Sequence, residues 1–384
     1  MSNTSIPVDY RLRMPGPAAV PDRVRAACAL PMISHRGPEF RAIFAEVTQG
    51  LRGIIGTTGD VFLLGASGTG GMEAALVNVL SEGDAVLVVE NGQFGERFSS
   101  IAATLPVTVE RMIVPWGEAP DAGEIAARIK AKSFRAVVVI HNESATGVVA
   151  DLAAIGAVLR GSDTLLVVDS VSGVAGVEMR MDAWGVDVLV TASQKSLICP
   201  PGLAVAAVNA KAMRVVQAAH GVPRFALDFR RAKSALEKNE TPFTPPVSLI
   251  LGLREALGMI AAEGLPAVLA RHARLAAALR AGFEALGFPT FPAGNFSATV
   301  TVGRVPDGLD GGTIVRHMYD KYRTVIVSQR TKLDNRVIRI GTMGAIGPAD
   351  VLADLHYLEC TLRDLGRGPE AGAGVAAAAR VLSQ

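Results

Sequence analysis

The sequence predicts an α/β protein, with a mostly parallel sheet between layers of helices and a smaller α+β domain after it. Three observations support this. Short apolar runs alternate with amphipathic stretches from Asp60 to about Val208, as strand–helix–strand units require. Most of the runs are continuous in Val, Leu and Ile, which is typical of strands buried on both faces. After Thr241 the pattern changes to a Pro-rich loop followed by two long helical stretches.

Seven apolar runs are predicted as the strands of a seven-stranded sheet. In chain order they are Val61–Leu64, Ala85–Glu90, Val107–Val114, Ala136–His141, Thr164–Asp169, Val186–Thr191 and Leu203–Val208. Helix-like segments such as Gly71–Leu80 and Leu152–Leu159 lie between these runs, so we expect helices to cover the sheet.

The C-terminal part mixes long helices with short strands. Helices are predicted over Ser248–Ala262, Pro266–Leu286 and Ala349–Leu365, and strands over Ala298–Val302, Thr324–Val327 and Val337–Ile340. Residues 368–384 are low in complexity and are predicted as a frayed helix. We therefore divide the chain into an N-terminal arm (1–14), a large α/β domain (15–258) and a small α+β domain (259–384).

The composition excludes several classes of protein. The chain has 384 residues, 49% of them hydrophobic, which suits two domains and excludes a wholly disordered chain. Lys and Arg number 38 against 36 Asp and Glu, and a net charge of +2 gives no basic surface for nucleic acid or a membrane. No apolar run approaches about 18 residues, and the N-terminus lacks a secretory signal. Cys28, Cys199 and Cys360 form neither a metal-ligand motif nor a disulfide framework, so we expect a cytoplasmic protein without a metal.

Polar residues follow five of the predicted strands. The carboxyl ends of parallel strands meet at one edge of a sheet, where ligands bind. That edge is predicted to carry Gly65–Gly70, Asn91–Phe94, His141–Ser144, Asp169–Ser170 and Ser193–Lys195. It thus combines glycines, hydroxyls, amides, an acid and a lysine.

The Gly-rich loop GASGTGG opens a predicted helix and has three interpretations. Its backbone N–H groups, the helix dipole and the hydroxyls of Ser67 and Thr69 suit a phosphate. A tight turn with a capping hydroxyl accounts for the loop equally well. A dinucleotide site is the third interpretation, because Glu90 ends the next strand about twenty residues on, although no Tyr-x-x-x-Lys pair supplies a reductase-type acid.

Asp169 and Lys195 are each ambiguous alone. A carboxylate at a strand end is most often a helix N-cap, and a lysine in a loop is most often solvated. Pyridoxal phosphate, however, needs a phosphate loop, a lysine for its Schiff base and an acid that keeps its ring nitrogen protonated. The predicted edge of the sheet supplies all three.

A series of short fragments runs along nearly the whole chain. They are Pro15-Gly16-Pro17, Ser34-His35-Arg36, SGTGGMEAALVNVL from Ser67, NGQFGER from Asn91, HNESATGV from His141, VDSVSG from Val168, SQKSLICPPGL from Ser193, FTPPV from Phe243 and RIGTMG from Arg339. In this order they resemble the class V, fold-type I pyridoxal-phosphate aminotransferases, and within them the alanine–glyoxylate and serine–glyoxylate (serine–pyruvate) group.

The resemblance implies a role for each matching residue. Lys195 would form the Schiff base, Asp169 would hold the pyridine nitrogen, and Arg339 would bind the substrate carboxylate. The other implied contacts are Ser67, Gly68, Thr69 and Gln194 at the phosphate, Ser144 at the phenolic oxygen, Phe94 stacked on the ring, and Thr244 at the phosphate of the neighbouring subunit. Phe94 replaces the Trp or Tyr of many relatives but keeps the aromatic face, and Thr241 stands where some relatives place a tyrosine.

The resemblance implies a homodimer that transfers an amino group from a small amino acid, such as alanine or serine, to glyoxylate or pyruvate. A lyase or desulfurase on the same scaffold and a nicotinamide-dependent oxidoreductase are the alternatives. A desulfurase needs a mobile cysteine, whereas Cys199 lies in a rigid CPPG segment and Cys360 in an apolar helix. Arg36, with His35, is a further candidate that would bind a second substrate carboxylate or the partner chain.

Overall fold

The computed structural model describes residues 10–384, so residues 1–9 of the predicted N-terminal arm lie outside the described part. The strands are β1 (Arg11–Leu12), β2 (Asp60–Leu64), β3 (Ala85–Glu90), β4 (Thr108–Ile113), β5 (Ala136–Ile140), β6 (Asn142–Glu143), β7 (Val148–Val149), β8 (Leu165–Asp169), β9 (Val188–Ala192), β10 (Ala204–Val208), β11 (Val300–Arg304), β12 (Thr324–Val325), β13 (Val327–Ser328) and β14 (Val337–Gly341). The helices are α1 (Asp22–Cys28), α2 (Pro38–Ile55), α3 (Gly68–Val79), α4 (Gln93–Ala102), α5 (Ala122–Ala131), α6 (Leu152–Leu159), α7 (Ala210–Ala218), α8 (Phe229–Leu236), α9 (Val247–Glu263), α10 (Leu265–Ala285), α11 (Gly311–Tyr322), α12 (Pro348–Asp364) and α13 (Ala373–Leu382).

The central sheet has seven strands in the order β2–β10–β9–β8–β5–β3–β4. The strands from β9 to β4 pair in parallel, whereas β10 is antiparallel to both of its neighbours. This confirms the predicted α/β class with a mostly parallel sheet. Each predicted run coincides with an observed strand to within about two residues at either end, the usual uncertainty of such boundaries.

Helices cover both faces of this sheet and create two apolar cores. Val137 and Val139 of β5 contribute to the core beneath α2 and α9, whereas Val138 contributes to the core on the opposite face beneath α3 and α4. Successive side chains of a strand point to opposite faces, so a strand covered on both sides needs apolar residues at every position. This is why the strands read as continuous apolar runs.

A second, antiparallel sheet of three strands, β11–β14–β13, lies in the C-terminal part, where α10, α12 and α13 build a separate core. The prediction of a frayed C-terminal helix is wrong. In α13 Ala378 is fully buried, and the Glu359 carboxylate accepts hydrogen bonds from the N–H groups of Gly372 (2.9 Å) and Gly374 (2.8 Å) at its start. A carboxylate at that position stabilises a helix by meeting its free N–H groups.

The described part of the N-terminal arm packs on the C-terminal part. Strand β1 pairs with β12, and the Arg13 guanidinium forms an ion pair of 2.6 Å with Asp354 on α12. The Arg13 carbonyl then accepts a hydrogen bond from the N–H of Gly341. The division at residues 258 and 259 stays a prediction, and that point lies inside α9. Over residues 10–384, none of the helices combines the length and apolar character needed to cross a membrane.

Candidate active site

The predicted edge of the sheet gathers a cluster of charged groups. In-register pairing of β3 with β5 and of β5 with β8 aligns their carboxyl ends. The charge on Lys195, just after β9, interacts with those of Asp169, Glu143, Arg97 and Arg339. We call the space between these five side chains and the start of α3 the pocket. The structure therefore brings together Lys195, Asp169 and Arg339, the three charged residues with a predicted role. Glu143, predicted at this edge without a role, lies among them, and Arg97 was not predicted.

The Gly-rich loop forms the start of α3. The Ser67 hydroxyl caps the helix by accepting a hydrogen bond from the Gly70 N–H at 3.2 Å. Within residues 10–384 the N–H groups of Gly68 and Thr69 have no hydrogen-bond acceptor, so two donors at the positive end of the helix are free for an anion. The capping and phosphate-binding interpretations of this loop are thus compatible.

Asp169 ends β8 as a buried carboxylate, with 3% of the residue exposed. Its Oδ1 atom accepts a hydrogen bond of 2.6 Å from the Val171 N–H, whereas Oδ2 has no partner among the described residues. A turn follows rather than a helix, so Asp169 is not a helix N-cap. Burial raises its pKa to about 6, against the opposing charges of Lys195 and Arg97. Asp169 is therefore mainly ionised above pH 6.

Lys195 is held by the Pro15–Pro17 segment. Its Nζ atom donates a hydrogen bond of 2.5 Å to the Pro15 carbonyl. Gly16 has a φ of +110°, and a Cβ atom there would lie 2.6 Å from both Cδ and Cε of Lys195, so this position needs glycine for two reasons. Burial lowers the pKa of Lys195 to about 8; Asp169 opposes this shift, whereas Arg339 and Arg97 add to it. An appreciable fraction of the amine is therefore unprotonated near neutral pH.

Glu143 fixes the start of α4 and with it the position of Phe94. The Glu143 side chain is fully buried; Oε2 accepts a hydrogen bond of 2.8 Å from the Phe94 N–H, and Oε1 accepts one of 2.9 Å from the Ala145 N–H. A Cβ atom on Gly92 would overlap this carboxyl group. Burial raises the pKa of Glu143 to about 7. The fragment HNESATGV contains this residue, but only the packing of α4 reveals its role.

Arg339 lies on β14 with its guanidinium in the pocket. Nη1 donates to the Ser144 carbonyl at 3.0 Å and Nη2 to the Ser328 carbonyl at 3.3 Å, and the buried Nε has no partner among the described residues. Burial lowers its pKa to about 10, against the opposing charge of Glu143. No carboxylate of the described chain forms an ion pair with it, so the guanidinium is free for a carboxylate ligand. The Ser144 hydroxyl also has no partner in residues 10–384.

Gln194 precedes Lys195, and its Oε1 atom is buried without a hydrogen-bond partner in the described chain. A buried acceptor of this kind normally has a donor from the protein, from water or from a ligand. Thr244, in contrast, is exposed on the loop before α9. The Thr241 hydroxyl donates to the Phe243 carbonyl at 2.7 Å, so it is already used within this loop.

The structure gives Arg36 an internal partner. Its Nη1 atom forms an ion pair of 2.6 Å with Glu240, which also pairs with Arg41, and donates to the Thr241 carbonyl at 2.7 Å. Arg36 thus anchors the loop that leads to Thr244. Its predicted role toward a second substrate carboxylate stays a prediction.

Arg97 is a site residue that was not predicted from the sequence. Its Nη1 atom donates to the Thr69 hydroxyl at 3.2 Å, and its Cζ atom lies 4.7 Å from the centre of the Phe94 ring. Phe94 and Arg97 stand three residues apart on α4, the spacing that places side chains on one helix face. This spacing within NGQFGER was the only sequence signal.

Comparison with known proteins decides the family. The sequence model of the family described as Aminotransferase class-V matches residues 23–303, more than half of the chain. The chain belongs to the class-V aminotransferase family.

Relatives of this class-V aminotransferase match it over nearly their full length. It is 38% identical to the L-aspartate–glyoxylate aminotransferase of Paracoccus denitrificans, over 95% of this chain and 94% of the relative. It is also 38% identical to the soluble hydrogenase small subunit of a Synechococcus species, over 97% and 98%. The crystal structure of the Bacillus subtilis ureidoglycine–glyoxylate aminotransferase superposes with a TM-score of 0.94 at 28% identity and covers 100% of both chains. The fold is the fold-type I of these enzymes.

Glu90 and Cys199, the residues that bear on the alternative functions, are both buried in this class-V aminotransferase. Glu90, the candidate ribose ligand, is paired with Arg111, which donates to both of its oxygens at 2.6 Å. Cys199 lies beside Leu249, and burial raises the pKa of its thiol, which suppresses the reactive thiolate. Across residues 10–384 no three His, Cys, Asp or Glu side chains form a potential metal-binding group.

Proposed function

We propose that this class-V aminotransferase uses pyridoxal phosphate, attached to Lys195, to transfer an amino group between a small amino acid and glyoxylate or pyruvate. The observation that carries the proposal is the meeting of three groups in one pocket. These are the Lys195 amine, the Asp169 carboxylate with its free Oδ2, and the free N–H groups at the start of α3.

The residues of the pocket fit this cofactor. The phosphate suits the N–H groups of Gly68 and Thr69 with the Ser67 hydroxyl, and Gln194, next to Lys195, would donate to it through its Nε2 group, since its Oε1 atom can only accept. Asp169 suits the ring nitrogen of the cofactor, and the unpartnered Ser144 hydroxyl suits its phenolic oxygen. The face of Phe94 suits stacking against the cofactor ring.

When bound, the cofactor supplies an electron sink for the carbon–hydrogen bond broken at the substrate α-carbon. The chain supplies the proton transfers. With a pKa of about 8, Lys195 can accept a proton at Nζ and return it to carbon. Asp169, ionised above pH 6, favours a protonated ring nitrogen. Arg339 binds the substrate carboxylate and so fixes the α-carbon next to Lys195.

The choice of substrates rests on the relatives and on the free guanidinium of Arg339. The Paracoccus and Bacillus relatives are both named for glyoxylate, which supports a small 2-oxo acid as the amino acceptor. Arg339 offers one carboxylate site. We therefore propose alanine, serine or a similar small amino acid as the donor.

The absorption spectrum of the purified protein tests the proposal. A visible band that shifts on addition of an amino acid is expected, and its absence after incubation with pyridoxal phosphate would contradict the use of this cofactor. Borohydride reduction followed by peptide mapping should label Lys195; a label on another lysine would refute its assignment. A panel of donors with glyoxylate and pyruvate then identifies the substrates.

We also propose a cytoplasmic homodimer. Phe225 and Phe243 stack at 5.4 Å while 63% and 39% exposed, and Thr244 is exposed next to them. An exposed aromatic pair beside a residue expected to reach the neighbouring subunit supports a second copy as its cover. Sedimentation of a monomer at micromolar concentration, or recovery of the protein outside the cytoplasmic fraction, would contradict these proposals.

A further inference from the structure

Arg97 stands between the phosphate loop and the aromatic ring of the pocket. From the second turn of α4 its guanidinium reaches the Thr69 hydroxyl at 3.2 Å and lies 4.7 Å from the centre of the Phe94 ring. Thr69 also carries one of the two free N–H groups at the start of α3. Arg97 is therefore placed beside the proposed phosphate site.

The guanidinium of Arg97 forms no direct ion pair in the described chain, and Asp169 interacts with it only through the longer-range field of its charge. No carboxylate within residues 10–384 forms an ion pair with it, although other arginines do have one, such as Arg111 with Glu90. The charge nevertheless acts on the pocket, because it lowers the pKa of both Asp169 and Lys195. A dianion at the start of α3 would give Arg97 a direct ion-pair partner.

We propose that Arg97 binds the phosphate group of the cofactor from the side of α4, opposite the N–H groups of α3. This inference rests on the proposed use of pyridoxal phosphate. Guanidinium groups form strong charge-assisted hydrogen bonds with phosphate. The Thr241 hydroxyl donates to the Phe243 carbonyl and so is not available to the phosphate. Arg97, through its contact with the Thr69 hydroxyl, is a cation within reach of the loop at the start of α3.

The alternative is that Arg97 only supports the Phe94 ring through a cation–π contact. The two roles predict different effects of the cofactor's phosphate group on binding affinity. A phosphate ligand stabilises pyridoxal phosphate but not pyridoxal, which lacks the phosphate. A ring support acts on the aromatic stack and so affects both compounds equally.

The test measures dissociation constants of the apoenzyme for pyridoxal phosphate and for pyridoxal by protein fluorescence. The variants are Arg97→Met, Arg97→Lys and the control Arg304→Gln, whose guanidinium lies 4.5 Å from the Phe291 ring and donates to the Phe291 carbonyl rather than to any residue proposed to bind the cofactor. Arg97→Met should weaken pyridoxal phosphate binding by about 10- to 150-fold, the range for a hydrogen bond to a charged group. The same variant should leave pyridoxal binding nearly unchanged, Arg97→Lys should recover part of the loss, and Arg304→Gln should match the parent.

Two results would overturn the inference. Equal losses for both compounds would assign Arg97 to the ring, and unchanged affinity for pyridoxal phosphate would remove it from the phosphate site. A misfolded Arg97→Met would be recognised by its far-ultraviolet circular dichroism, and Arg97→Lys, with its smaller but phosphate-specific loss, would then decide. Failure of the parent protein to bind pyridoxal phosphate would instead refute the proposed function.

Discussion

Replacing Gly16 by alanine should displace Lys195. The φ of +110° at Gly16 disfavours a residue with a Cβ atom, at a cost of about 1–2 kcal/mol. The new Cβ would lie 2.6 Å from Cδ and Cε of Lys195, so the side chain must move and give up its hydrogen bond to the Pro15 carbonyl. A hydrogen bond of a charged group contributes about 1.5–3 kcal/mol. The total loss of unfolding free energy is therefore about 2.5–5 kcal/mol.

Gly161→Ala is the matched control. Gly161 has a φ of +80°, and a Cβ atom there would meet nothing within 4 Å, so only the backbone cost of about 1–2 kcal/mol applies. Urea unfolding of both variants measures the difference. Initial transamination rates at saturating cofactor measure the displacement of the amine, which should slow Gly16→Ala by about 100-fold and leave Gly161→Ala at the parent rate.

Equal behaviour of the two variants in unfolding and in rate would refute the reasoning. It would mean that the Pro15–Pro17 segment does not confine Lys195. A Gly16→Ala protein with normal stability and lost activity would refute only the energetic part, because the amine would then have moved without losing a net stabilising contact.

Three other predictions concern charge. Arg339→Gln should raise the KM for the amino acid by about 10- to 150-fold, measured by steady-state kinetics, with partial recovery in Arg339→Lys; an unchanged KM would remove Arg339 from the site. His272 is buried, accepts a hydrogen bond of 2.9 Å from the Gly344 N–H and has its pKa lowered by burial to about 4. The unfolded chain binds a proton at His272 below about pH 6.5, whereas the folded chain does so only near pH 4. The free energy of unfolding therefore falls as the pH falls from 6.5 towards 4, by about 2 kcal/mol at pH 5. His272→Gln should lack this loss in urea unfolding at pH 7 and 5, whereas the exposed His220→Gln should retain it. The pKa of Glu143, raised to about 7, has the opposite effect: the free energy of unfolding falls as the pH rises from about 4.5 to 7. Glu143→Gln should therefore gain about 2–3 kcal/mol in unfolding free energy relative to the parent between pH 5 and 8. Parallel pH profiles of the two proteins would contradict this.

The sequence predicted the fold best where a strand is buried on both of its faces. Strand β5 is apolar at each position because both of its faces are covered, so its pattern differs from that of a strand with one exposed face. The rule that ligands meet at the carboxyl edge then located Asp169 and Lys195 without any three-dimensional information. Only the positions of the strands along the sequence were needed to place these two residues at that edge.

The roles of Glu143 and Arg97 could not be predicted in this way because they depend on the packing of α4. A glutamate after a strand is usually solvated, and only the approach of Gly92 and the Phe94 N–H turns Glu143 into a buried acceptor. Arg97 looks like one of many helix arginines until Thr69, 28 residues earlier, is brought against it. Arg36 shows the same dependence over a longer span, since its partner Glu240 lies 204 residues away.

The first described residues hold the last part of the chain together. Strand β1 lies on β12, and Arg13 neutralises Asp354, which is wholly buried on α12. A fragment that begins at residue 259 would therefore expose one edge of β12 and leave a buried carboxylate without its cation, a change that typically costs about 3–5 kcal/mol. Such a fragment should fold only when a peptide of residues 10–18 is added back. Residues 11–13 and the C-terminal part thus stabilise each other, and a truncated fragment has to include both partners of these contacts.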